Sequence, residues 1–174
     1  VPEEIMLDSF DNKIFDSFAF EIALAKNIEL EKMLATFSKK VLTDTELDGF
    51  LFNLIDESGQ NQICEHLSLP THLKNAESIF LHYRFSQSVV EPCWKAFDTQ
   101  KIIRISNVLE LDEQSATRQR MERWDAKDLV ILPITSNGRC YGTLMIFCTN
   151  NAVSDGLIEY IENCLVVLGH KMKN

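Results

Sequence analysis

Nowhere in this 174-residue chain is there the run of about 18 apolar residues that a membrane-spanning helix needs. A basic segment leading into a short apolar one, the mark of a secretory leader, is also missing. Glycine and proline are sparse, at six and four, which excludes collagen-like and low-complexity chains, and no internal repeat is visible. Positive charge is in deficit. Seventeen lysines and arginines against 26 acids leave a net charge of −9, the wrong sign for gripping nucleic-acid phosphates or an anionic membrane surface. The five cysteines, at 64, 93, 140, 148 and 164, include no C-x-x-C and no zinc-site spacing. That set fits reduced thiols and a cytoplasmic location, with Cys148 and Cys164 as core residues inside apolar runs. The four histidines, at 66, 72, 82 and 170, show no paired metal-ligand spacing. G-x-S-x-G, H-E-x-x-H, the P-loop and the dinucleotide glycine fingerprint are all absent. These absences lead us to expect no catalytic residues, no metal, no nucleic-acid partner and no membrane partner, and they leave the cofactor unspecified.

What is present is a globular composition, 45% hydrophobic, at a length that suits one domain plus an extension. The chain starts at Val1 rather than methionine, and the expectation is a piece cut from a larger protein. Pro2-Glu3-Glu4 is a favourable helix start. Beyond it, Phe10, Ile14, Phe18 and Ile22 fall four apart and make one apolar stripe. A lone helix cannot hide such a stripe, so residues 1–26 are predicted to be a helical extension that pairs with a second copy. Leu30, Leu34, Phe37 and Val41 make a second stripe, predicted as the first helix of the domain over 27–42.

Strands are predicted over 49–56, 61–69, 79–86 and 101–108, the last alternating Ile103 and Ile105 with Arg104 and Ser106. A helix is predicted over 89–99. Residues 110–123 read as a polar helix or loop, with Arg118, Arg120 and Arg123 on a solvated face. The last third is the clearest. Asn137-Gly138 between two apolar runs is a strong hairpin signal, because both turn residues need positive φ, and Ser154-Asp155 caps a closing amphipathic helix.

Ile131-Leu132-Pro133-Ile134, Tyr141-Gly142-Thr143-Leu144-Met145-Ile146-Phe147 and the Ser154-Asp155 helix start resemble the C-terminal half of a GAF domain. The resemblance extends over roughly 27–172 and places the domain boundary at 27–174. It implies an α+β fold: an antiparallel sheet of about six strands, with the N- and C-terminal helices on one face and a pocket-forming segment on the other. A PAS domain is the near competitor, and the hairpin followed by a long closing helix favours GAF. The implied pocket candidates are Phe85, Trp94, Phe97, Arg104, Ser106, Asn107, Trp124 and Asp128, with Tyr83 nearby.

The resemblance implies a non-enzymatic sensory or regulatory domain of a cytoplasmic signalling protein. It would form a homodimer through its terminal helices and bind a small-molecule ligand that controls an attached output domain lying outside this chain. Other readings stay open. A ligand-free dimerisation and linker module is one. Cyclic-nucleotide-binding members carry Asn-Lys, an aromatic and Asp-Glu. Here Asn107-Val108, Trp124 and Asp128-Leu129 match in part, with valine in place of the lysine. Haem or iron sensing would rest on His66 and His82 near Cys64 or Cys93. Bilin attachment would need a Cys-His dipeptide, which is absent. The free methionine-R-sulfoxide reductase branch would need pocket thiols, for which Cys93 and Cys140 are the candidates.

Overall fold

In the computed structural model, residues 30–43 and 45–172 are described. The predicted extension, with Phe10, Ile14, Phe18 and Ile22, lies outside them, as does the start of the first predicted helix. Helix α1, Leu30–Phe37, runs on into one π-helical turn, Ser38–Leu42. Leu34, Phe37 and Val41 of the predicted stripe are buried, whereas Leu30 is 39% exposed. Strand β1, Gly49–Ile55, pairs antiparallel with β2, Asn61–Ser68. In the turn between them Asp56 accepts from Ser58 and Asn61, which hold its carboxyl down to about 2.

The strand predicted over 79–86 is mostly something else. A 3-10 turn, Thr71–Ala76, leads into the single helical turn α2, Glu77–Phe80, and only Arg84–Ser86 forms strand β3. The cause is local. Glu77 Oε2 accepts from the Leu69 backbone N–H at 2.7 Å, Phe80 turns inward, and His82 reverses the chain at φ 69°. Helix α3 is Pro92–Thr99, three residues shorter at its start than predicted. Strand β4 is only Ile103–Ile105. The left-handed Gln100 (φ 54°) precedes it, and Asn107 starts a 3-10 turn, Val108–Glu110, after it. Helix α4, Ala116–Trp124, occupies the polar segment. Strands β5, Asp128–Ser136, and β6, Arg139–Cys148, form the hairpin, and α5, Asp155–Met172, closes the chain.

All pairings are antiparallel, in the order β3-β2-β1-β6-β5-β4. The hairpin turn has φ 52° at Asn137 and 78° at Gly138, the primed geometry that matches strand twist. Pro133 sits beyond Leu129–Ile131, the stretch of β5 that β4 pairs, so the N–H it lacks is not needed on that side. Each central strand is apolar on both faces. Phe52, Val130, Leu132, Leu144 and Ile146 face α1 and α5, while Leu51, Leu129, Ile131, Met145 and Phe147 face α2, α3 and α4. The terminal helices of the described chain thus form one layer and the connecting helices the other, as the resemblance implied.

Two glycines show how tightly the helix layer sits. A Cβ on Gly169 would run into the Thr135 carbonyl, so α5 approaches β5 to backbone contact, whereas a Cβ on Gly156 of the same helix would meet nothing within 4 Å. Gly169→Ala is therefore expected to destabilise by about 1–3 kcal/mol, roughly 2–4 °C of melting temperature per kcal/mol at this size. Gly156→Ala is expected to raise stability by about 0.4–1 kcal/mol through helix propensity. Thermal unfolding followed by circular dichroism separates the two, and equal shifts would contradict the close approach.

Candidate functional site

Helix α4 carries Thr117, Arg120, Met121 and Trp124 at i, i+3, i+4 and i+7, one face of a helix turned toward the sheet. Its start is held by charge. Glu91, 7% exposed, accepts from the Ala116 backbone N–H at 2.6 Å and from the Thr117 hydroxyl at 2.7 Å. A carboxylate there meets both the orphan N–H groups and the positive end of the helix dipole. Ser115 adds an N-cap, its hydroxyl accepting from Arg118 N–H at 3.2 Å. At the other end Trp124 stacks on Phe147 (centroids 5.6 Å, 24°) and meets the edge of Phe80 at 5.0 Å.

Between α4 and the sheet lies a cavity of about 10 Å³, the scale of one water molecule. Leu51, Met121, Leu129, Met145 and Phe147 make its apolar wall, and Phe85, Arg120 and Trp124 border it. The Arg120 guanidinium lies 3.9 Å from the Tyr83 ring centroid, 4.9 Å from Phe85 and 5.1 Å from Phe80. Its Nε and Nη1 are buried with no hydrogen-bond partner among the described residues, and Trp124 Nε1 is in the same state. The ring stacking contributes about 0.5–2 kcal/mol. Each buried donor left unpaired costs about 1–3 kcal/mol. The arrangement is therefore held against a local penalty by the packing around it.

The eight predicted pocket residues do not converge. Phe85 and Trp124 reach the cavity. Trp94 and Phe97 lie in the same apolar layer, 5.1 Å apart, with Trp94 Nε1 donating to the Phe85 carbonyl at 2.9 Å. Phe97 instead borders an open cleft of about 460 Å³ with Asp98, Gln100, Arg139 and Cys140. Asn107 is exposed and caps its own 3-10 turn, accepting from Leu109 N–H at 3.0 Å.

Arg104 and Asp128 belong to the other face. Arg104 pairs with Val130, which faces the terminal helices. There Asp128, 4% exposed, accepts from Arg104 Nη2 at 2.7 Å, Arg104 Nε at 3.3 Å, the Val153 backbone N–H at 2.7 Å and Ser106 at 3.4 Å. Arg104 also donates to the Val153 carbonyl at 2.7 Å and to Asp155 at 3.0 Å. The Asp128 hydrogen bonds push the Arg104 guanidinium above its ordinary value. Arg104 is thus the cation that partners Asp128, and together with Asp155 they clamp the start of α5 to β4 and β5.

Arg120, Met121, Met145 and Glu91 were missed by sequence reasoning. The i, i+3, i+4, i+7 stripe on α4 was the available signal for the first two. Arg120 corrects the expectation of a solvated basic face, which Arg123 alone fits: Arg118 is half-buried and bonds Glu122 and the Leu111 carbonyl. Burial pushes the thiols up: Cys64 to about 12, Cys148 to about 11, and Cys93 and Cys140 in the same direction. The thiolate that exchange chemistry requires is therefore scarce at neutral pH. Burial between Phe50 and Phe52 also lowers the His66 imidazole. Among the described residues, no three His, Cys, Asp or Glu side chains gather as metal ligands, and no helix is long and apolar enough to cross a membrane.

Terminal helices under the sheet and a helical roof over a small apolar cavity define an α+β domain of the roofed-sheet class. The chain belongs to the GAF domain family, whose profile matches residues 29–164. No curated protein sequence matches it significantly. Among solved structures it is similar to the GAF domain of a two-component sensor histidine kinase from Bacillus halodurans, with 17% identity, 85% of this chain and 96% of that one covered, and a TM-score of 0.70. The GAF domain of a phosphoenolpyruvate-protein phosphotransferase from Acinetobacter has 11% identity, coverage of 94% and 93%, and a TM-score of 0.69. A free methionine-R-sulfoxide reductase from Neisseria meningitidis, in complex with its substrate, has 13% identity, coverage of 95% and 89%, and a TM-score of 0.67. At such identities the likeness is one of fold.

Two predictions follow from the charges and the thiols. Arg104→Met, which strands a buried carboxylate, is expected to destabilise by about 2–3 kcal/mol, below the full figure for a buried pair because Arg104 is partly exposed. The Arg104→Met/Asp128→Leu double variant is expected to lose less than that single variant; chemical denaturation of the set measures the coupling. Native protein at pH 8 is expected to react slowly with a disulfide thiol reagent at Cys64, Cys93, Cys140 and Cys148, and at once in denaturant. Rapid native labelling of Cys93 or Cys140 would favour the reductase reading.

Proposed function

We propose that this chain is the regulatory domain of a signalling protein, in which a small molecule taken up between α4 and the sheet changes how the terminal helices are held. The observation that carries this is the short path between the two layers. Helix α4 ends at Trp124 on the cavity, and four residues later Asp128 binds the backbone at Val153 and, through Arg104, Asp155 at the start of α5. Between them Asp125 is left-handed (φ 55°) and Lys127 N–H donates to the Cys148 carbonyl at 2.9 Å, so there is little slack. A ligand that favours one position of α4 shifts the population toward it and biases α5 with it. Pairing of the helical extension through Phe10, Ile14, Phe18 and Ile22 completes the reading as a homodimer whose output domain lies elsewhere in the parent protein.

A second reading, a linker module without ligand, is favoured by the cavity's small size and by the bulk of Trp124, Met121 and Phe147 around it. Native mass spectrometry of freshly purified, undialysed protein decides between them. The expected result is a dimer carrying an extra mass that is lost on denaturation and is absent from Trp124→Ala, which remains dimeric. Bare dimers in both proteins would establish the linker module, and a monomer would remove the helix-pairing argument.

A further inference from the structure

Two residues that border this cavity, Arg120 and Trp124, carry unpaired donors. Arg120 Nε, Arg120 Nη1 and Trp124 Nε1 are buried without partners among the described residues. Thr117, the other polar side chain in the wall, donates its hydroxyl hydrogen bond to Glu91 at 2.7 Å. No described acid forms an ion pair with Arg120, whereas Lys74, Arg84, Arg104, Arg118 and Lys127 each meet a carboxylate. The remaining wall is apolar: Leu51, Met121, Leu129, Met145 and Phe147.

We propose that this cavity takes a short-chain aliphatic monocarboxylate, its carboxylate accepting from Arg120 and Trp124 and its alkyl end lying against Met121 and Met145. This rests on the reading of the cavity beneath α4 as the ligand site. An ionised carboxylate is an acceptor-only group, the complement of these unpaired donors. One guanidinium neutralises one charge, so a dianion such as phosphate is left with uncompensated charge in apolar surroundings. Present dimensions admit little more than a water, so the tail must be short and must make its own room. Methionine is the side chain best able to yield that room, being unbranched and free about three bonds. Entry of the tail displaces Met121, and with it α4, which joins recognition to the movement of the roof.

Sodium butyrate serves as the probe, with butyramide as its neutral isostere, inorganic phosphate as the dianion and sodium chloride to match ionic strength. The full chain is titrated calorimetrically, with Trp94→Phe used to isolate Trp124 fluorescence. Butyrate is expected to bind, to change Trp124 emission and to raise the melting temperature with concentration; the other three are expected to do none of these. Arg120→Met is expected to weaken butyrate by about tenfold or more while melting no lower than the parent without ligand, because it removes two buried unpaired donors. Arg120→Lys, which keeps the charge and loses the planar group, should fall between them.

Equal binding of butyramide, or binding of phosphate alone, overturns the carboxylate assignment. Butyrate binding that survives Arg120→Met unchanged overturns the assigned site. No response to butyrate overturns the ligand class. An extra mass in the native spectrum would then leave the regulatory reading standing, and bare chains would take both down together.

Discussion

Because β1, β5 and β6 are covered on both faces, no residue in them can hide a mismatch. Leu129 and Ile131 pack into the roof layer, and Val130, Leu132 and Ile134 into the helix layer, along one continuous backbone. Interiors at this density do not absorb displacements locally, and a polar group admitted to the centre without a partner carries a penalty. Thr143 donates to Gln62 at 2.8 Å, and Gln62 donates onward to the Cys93 carbonyl at 3.1 Å, tying β6, β2 and α3 across the roof side. Asn53, beside Thr143 on β1, is fully buried with both side-chain amide atoms unpartnered among the described residues. Its neighbourhood also holds the β1–β2 register shift and Gly142, where a Cβ would strike the Asn53 carbonyl.

The same constraint makes the buried charges informative. Asp128 is met by Arg104, Ser106 and the Val153 backbone, and Glu91 by the first turn of α4; both are satisfied within the fold and act as fasteners. Arg120 is treated differently. Three aromatic rings shield it, and two of its nitrogens have no acceptor among the described residues. A fold that closes off two carboxylates so completely thus leaves two guanidinium nitrogens, on a residue that borders a cavity, without a partner among the described residues.

Legibility in the sequence followed the strength of the local signal. The hairpin, its Asn137-Gly138 turn and the Ser154 cap were readable because each rests on backbone rules a few residues long. The apolar doublets of β5 and β6 signalled burial on two faces. Residues 79–83 were misread because Ile79, Phe80 and Leu81 have strand-like character, while the Glu77 bond to Leu69 and the burial of Phe80 under Trp124 depend on distant chain. The site failed for a related reason. Arg104 and Asp128 were both singled out, but strand alternation decides which face they join, and β4 is only three residues long. Arg120 was taken for surface because its aromatic neighbours come from α2, β3 and the turn between them, some 35–40 residues earlier.

Face assignment bears on mechanism as well as on bookkeeping of residues. If Arg104 and Asp128 gripped a ligand directly, binding would be confined to one layer and α5 would respond only through the sheet. Placed beneath the sheet, they hold the beginning of α5 while Trp124, one turn of chain away, rests on the cavity above it. Asp128 is itself paired with Cys148 in β6, so it cannot follow α4 freely. Displacing α4 must then either load the Asp125–Lys127 connection or rearrange the bonds at Val153 and Asp155. The short connection favours two discrete positions over a continuous drift, because the Lys127 bond to the Cys148 carbonyl is either made or broken. On the proposed reading, a bistable element between the cavity and α5 is what coupling the two requires, independent of what the ligand proves to be.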